Sequence, residues 1–121
     1  LPPVVREIEE SGGRYGIRIA NGAHAGDGNV HPMICVDSHV PDCEARAKAA
    51  ASEIMRRCIQ AGGTVTGEHG IGLEKRDCMP WLFSPDDLDQ FRRARRAFDP
   101  KDRCNPGKKF PGGPGPGGHD A

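Results

Sequence analysis

Aromatic residues are scarce in this chain: one Trp, one Tyr and four Phe make up 5% of its 121 residues. Hydrophobic residues reach only 36%. That is thin for a core that must support a domain alone, and the expectation is that some apolar surface is buried against another domain. Neither charge is in excess, with 17 Lys+Arg against 17 Asp+Glu, so there is no electrostatic case for nucleic acid or an anionic membrane as partner. The five cysteines (Cys35, Cys43, Cys58, Cys78 and Cys104) form no CxxC pair. Their odd number and scatter exclude a closed disulfide framework and a zinc-knuckle spacing, and they read as small apolar residues of a reducing compartment. There is no signal-peptide pattern, no apolar run of membrane-spanning length, no internal repeat and no glycine loop of the kind that cradles a dinucleotide diphosphate. The chain opens at Leu1, within what reads as a helix, and the expectation is the C-terminal piece of a longer enzyme.

What the sequence does have is clear punctuation. Pro2-Pro3 opens a short helix through Val4, Val5 and Ile8 that Gly12-Gly13 is expected to cap. Tyr15, Ile17 and Ile19 alternate with Gly16, Arg18 and Ala20, the period of a half-buried strand. Ala25 to Asn29 is dense in turn residues, and Val30 to Val36 reads as a second strand, so the two form a pair joined by a glycine-rich turn. Asp42 to Ala61 is the strongest helix, with Ala47, Ala51, Ile54, Cys58 and Ala61 on one face and Gly62-Gly63 at its end. A β-branched run, Thr64-Val65-Thr66, leads into the sharp turn Gly67-Glu68-His69-Gly70-Ile71-Gly72, and Leu73 to Met79 reads as a further helical turn or two. The last helix has Ser84 as N-cap, Pro85 at its first position and Asp87 completing a capping box. Its apolar stripe is Leu88, Phe91, Ala94 and Phe98. The fold class expected is α+β, an antiparallel sheet with helices packed on it. Residues 1–110 form the domain, and residues 111–121 form a disordered Gly/Pro tail.

Two segments carry chemistry. His24 and His31 stand seven residues apart, a spacing that would put them on opposite faces of one strand. The intervening residues make a turn, however, so the two imidazoles can face each other across a hairpin mouth and meet a single cation. Asp27 and Asn29 can orient a ring or a bound substrate from behind. The plain alternative is that Asp27-Gly28 is simply a hairpin turn. In the second segment, adjacent residues of a tight turn point different ways, so Glu68 can ligate the same cation while His69 faces a substrate as general base. The alternative there is a solvated turn.

Three stretches resemble one known family. His24-Ala-Gly-Asp-Gly-Asn-Val-His31, Gly63-Thr-Val-Thr-Gly-Glu-His-Gly-Ile-Gly-Leu-Glu-Lys75 and Phe98-Asp-Pro-Lys-Asp-Arg-Cys-Asn-Pro-Gly-Lys108 are similar to the C-terminal region of the FAD-linked 2-hydroxy acid oxidases and dehydrogenases. This group is of the glycolate oxidase D subunit and D-lactate dehydrogenase type, among the vanillyl-alcohol-oxidase-like flavoproteins. The resemblance implies a C-terminal substrate or cap domain whose N-terminal FAD-binding domain lies elsewhere. It implies oxidation of a small 2-hydroxy acid to the 2-oxo acid, with hydride passing to the flavin. His24, His31 and Glu68 would bind a divalent cation (zinc, manganese or iron), and His69 would take the hydroxyl proton. Asn105 would approach the flavin, and Lys75, Asp27 and Asn29 would help to place the substrate. A fragment of this kind would be inactive alone.

The partners implied are that FAD domain, the substrate and the FAD-binding and iron–sulfur subunits of a glycolate oxidase complex, with no nucleic acid. The location expected is the cytoplasm, or the inner face of the membrane as a peripheral protein. Two competing readings are a non-catalytic domain that borrows FAD from a separate subunit, and a small metal-dependent hydrolase. The second has too few carboxylates to bridge a two-metal centre.

Overall fold

The computed structural model describes residues 2–112. Its elements run α1 (Pro2–Tyr15), β1 (Ile19–His24), β2 (Asn29–Ile34), α2 (Cys43–Gln60), a 3-10 helix (Arg76–Trp81) and α3 (Pro85–Phe98). The class is α+β, with helices packed on a two-stranded antiparallel sheet. The tail expected from 111 to 121 lies outside the described residues beyond Gly112. The chain divides into two units, one ending at Glu68 and the other beginning at His69.

In the first unit, α1 packs on α2 and its end abuts the hairpin. The buried apolar residues are Ile8, Ile17, Cys43, Ala47, Ala50, Ile54 and Val65. Ile17, Cys43 and Ala47 form a cluster against which Tyr15, Ile19 and Ile34 pack. Arg14 bonds both Ser11 and Glu53, and Arg57 reaches Glu7 and Glu53, so charged pairs line the α1–α2 seam.

Both long helices of this unit end in the same way. The N–H of Ile17 donates to Gly12 O at 2.9 Å and that of Gly16 to Gly13 O at 3.2 Å, with Gly16 at φ 60°. At the end of α2, the N–H of Gly63 donates to Cys58 O and that of Gly62 to Ile59 O, with Gly62 at φ 84°. Each is a Schellman motif, which satisfies helix-end carbonyls through a left-handed residue.

Several sequence expectations shift. Gly12-Gly13 does not cap α1, which continues to Tyr15. Gly12 is buried there because a Cβ on it would lie 2.8 Å from Ile17 O and 3.2 Å from the Ile19 side chain. Tyr15 therefore belongs to the helix, and β1 begins only at Ile19. The second strand covers Asn29–Ile34 rather than 30–36. The buried row of α2 is Cys43, Ala47, Ala50 and Ile54, while Ala51 and Ala61 are exposed. Three consecutive alanines at 49–51 leave the phase of that stripe undetermined by composition.

In the second unit, Met79 and Leu88 are buried. The cap of α3 is as expected: Ser84 Oγ accepts from the Asp87 N–H, and the Asp87 carboxylate accepts from the Ser84 N–H at 2.9 Å. The stripe of α3 is not a core, since beyond Leu88 it is exposed, with Phe98 at 92%. The further helical turns expected over 73–79 take the form of turns followed by a 3-10 helix, Arg76–Trp81.

Candidate metal centre

The register of the hairpin explains how two histidines seven apart share one face. His24 pairs with Asn29, Gly22 with His31 and Ile19 with Ile34. Directly paired residues of antiparallel strands point to the same side, and the side alternates along each strand. His24, Asn29 and His31 therefore lie on one face, and Ile19 and Ile34 lie on the other, against the apolar cluster. His24 and His31 are diagonal neighbours across the strands, within reach for rings. Their centroids are 5.1 Å apart and the rings are nearly perpendicular. The four-residue turn Ala25-Gly26-Asp27-Gly28 closes the hairpin, with Gly28 at φ 71° and the Asp27 N–H donating to His24 O.

Glu68 completes the group. Its Oε1 lies 3.1 Å from His31 Nε2 and 3.5 Å from His24 Nε2. One ligand atom from each of the three residues lies within 4.8 Å of the other two, and no other such group of His, Cys, Asp and Glu occurs among the described residues. Ligands held about 2.0–2.2 Å from a zinc-like cation sit roughly 3.0–3.5 Å apart on adjacent vertices, the span seen between the two imidazoles and the carboxylate. The side chains are 56%, 31% and 46% exposed for His24, His31 and Glu68. Two nitrogens and one oxygen, without a thiolate, suit zinc, manganese or iron. Three protein ligands on an open surface are also the plan of a catalytic site that keeps a coordination position for substrate. The donor set therefore fits a divalent cation.

The other expected site residues are placed as follows. Asp27 is exposed in the hairpin turn and is not in the three-residue group. Asn29 is half-buried on the ligand face. His69 is exposed, opens the second unit and precedes Gly70 at φ 78°. Lys75 is half-buried at the start of the 3-10 helix. Asn105 is exposed at φ 50°, a left-handed conformation that Asn tolerates, and its Oδ1 accepts from Lys108 Nζ at 3.4 Å.

Two arginines that the sequence did not single out as structural hold the segment around Asn105. Arg76 donates to Gly107 O at 2.6 Å. Arg95 reaches Asp99, Asp102 and Cys104 O. Asp99 accepts in turn from the Arg103 and Cys104 N–H groups at 2.9 and 2.8 Å. Those backbone donors, that of Cys104 foremost, hold the Asp99 carboxyl below the ordinary aspartate value of 3.8. The i, i+4 spacing of Arg95 and Asp99 was the available signal.

The chain is similar to known proteins over most of its length. The family "FAD linked oxidases, C-terminal domain" matches residues 1–109. The chain is 42% identical over 111 residues to the glycolate oxidase subunit GlcD of Escherichia coli K12, covering 92% of this chain and 22% of that protein. It is 37% identical over 107 residues to GlcD of Bacillus subtilis 168, covering 88% and 23%. It is 34% identical over 107 residues to the mitochondrial D-lactate dehydrogenase [cytochrome] of Kluyveromyces lactis, covering 88% and 18%. The chain spans less than a quarter of the length of these relatives.

Proposed function

The chain belongs to the FAD-linked oxidases as their C-terminal domain, and from that premise we propose that it supplies the substrate side of a flavoprotein that oxidises a 2-hydroxy acid, of glycolate or D-lactate type, to the 2-oxo acid. The observation that carries this reading is the convergence of His24, His31 and Glu68 on one open face of the hairpin. These three residues hold a divalent cation (zinc, manganese or iron) in the working enzyme. When bound, that cation would supply Lewis-acid polarisation of the substrate hydroxyl, and FAD, carried mainly by an N-terminal domain, would supply the acceptor for the α-carbon hydride.

The chain's own residues have distinct tasks in this scheme. An imidazole nitrogen of His69 takes the proton of the substrate hydroxyl as the C–H electron pair departs, leaving the carbonyl of the 2-oxo acid. Lys75 neutralises the substrate carboxylate, and Asp27 and Asn29 orient the ligand face. Asn105 approaches the flavin from the loop that Arg76 and Arg95 hold. The partners are the N-terminal FAD domain, a small 2-hydroxy acid and, in a glycolate oxidase complex, further FAD-binding and iron–sulfur subunits. No helix among the described residues is long and apolar enough to cross a membrane, and we place the protein in the cytoplasm or peripherally on the inner membrane face.

The test uses flavin-loaded full-length protein under anaerobic conditions. His69→Ala is expected to keep flavin and metal but to slow flavin reduction by substrate about 10²–10⁴-fold. His31→Ala is expected to lose the metal. Reduction at the parental rate in both variants would overturn these roles.

A further inference from the structure

Gly67 stands immediately before Glu68, and its backbone is not in the left-handed region. Its missing side chain is therefore not needed for conformation. It bears on space: a Cβ on Gly67 would fall 2.6 Å from Asn29 Cγ and 2.9 Å from Asn29 Nδ2, and closer still to Oδ1, so either the Asn29 amide or the backbone at 67 would have to shift. All three amide heavy atoms of Asn29 thus occupy the volume where a side chain at 67 would begin. Asn29 is also the cross-strand partner of His24 and shares its face with His31. The Asn29 side chain, which abuts the backbone leading into Glu68, thus belongs to the end pair of the ladder, opposite His24.

We propose that Asn29 and Gly67 form a steric latch that sets the reach of Glu68 toward His24 and His31. The two histidines are fixed with respect to each other by the strand ladder. Glu68 belongs to neither strand, and the residues just before it lie in irregular backbone. Its Oε1 nevertheless sits 3.1 and 3.5 Å from the two imidazole nitrogens. Packing Gly67 against the Asn29 amide gives that irregular segment a fixed point one residue away from the carboxylate. Asn29 and Gly67 are thus positioning residues, acting on the metal site through Glu68. This inference rests on the metal reading above and deepens it.

The experiment titrates chelator-treated full-length protein with Zn²⁺ alone, by calorimetry, with thermal unfolding of each variant measured alongside. Gly67→Ala is expected to weaken Zn²⁺ binding about 10–100-fold, the scale of lost ligand support, and to add nothing further in a Glu68→Gln background. In an Asn29→Ala background, where the amide is gone, the same Gly67→Ala change is expected to cost less than about threefold, because the clash has been removed. A general weakening of the fold would instead lower the unfolding temperature and would persist in both backgrounds.

If Gly67→Ala does not fold, Asn29→Ala carries the test, with the fold kept and Zn²⁺ affinity lowered about tenfold. Parental protein that binds no Zn²⁺ would overturn the metal reading itself. Parental protein that binds Zn²⁺, with Gly67→Ala binding equally well or with the same loss in the Asn29→Ala background, would overturn the latch alone.

Discussion

The two units of the chain are stabilised by different means. In the first, seven apolar residues are buried, and the sheet sets its ligand face directly opposite the face that packs on them. In the second, only Met79 and Leu88 are buried among the large apolar residues described, and the local order comes from a capping box and from arginines gripping backbone carbonyls and aspartates. The difference suits the hairpin to bear the two proposed histidine ligands. A ligand set must be held within fractions of an ångström, and a strand pair backed by a packed apolar core does this better than loops tied by a few polar contacts.

That contrast can be broken by experiment. The largest effect on stability should come from Ile54→Ala in the first unit, at about 2–5 kcal/mol. Phe98→Ala, at a position 92% exposed, should change stability by less than about 0.5 kcal/mol. Chemical denaturation of the full-length protein measures both, and equal losses would abolish the distinction.

A sharper probe follows from Asp99. Its carboxyl titrates below the ordinary value because the Cys104 and Arg103 N–H groups favour the charged form. A depressed folded-state pKa means that the contribution is fully present above the ordinary value of 3.8 and is lost as the pH falls below it towards the folded pKa. The protection factors of the Arg103 and Cys104 amides, taken relative to intrinsic exchange at each pH, should therefore fall on acidification through that window, while those of the β1–β2 ladder stay high. Asp99→Asn should give the lowered protection already at neutral pH. A smaller effect than that of Ile54→Ala is expected of Ser84→Ala, which removes the α3 cap and should cost about 1 kcal/mol, read as faster exchange in the first turn of α3.

Much of the scaffold was legible because it depends on local signals. Ser84, Pro85 and Asp87 announce a helix start wherever it lies in space, and Gly62-Gly63 marks the end of α2 for the same reason. The hairpin and the mutual approach of His24 and His31 followed from turn residues and strand alternation. Where the reading shifted, the deciding contact was distant in sequence or the local code was degenerate. Gly12 looks like a helix stop until Ile17 and Ile19 are seen pressed against it. The alanines at 49–51 offer no chemical difference to fix the phase of α2. Nothing in the residues around Arg76 marks it as structural, but it bonds a carbonyl thirty-one residues away. Gly67 reads as a turn glycine, and its steric reason, Asn29, sits in another element. The aromatic positions of α3 have helical spacing, but spacing alone does not state what covers them.

The most direct test of the central claim is anaerobic flavin reduction by glycolate or D-lactate in full-length protein, measured before and after removal of divalent metal. The account predicts that the stripped enzyme keeps its flavin oxidised on substrate addition, and that Zn²⁺ or Mn²⁺ restores reduction in the parent but not in His31→Ala. If the stripped parent reduced its flavin as fast as the untreated enzyme, His24, His31 and Glu68 would not be a working metal centre.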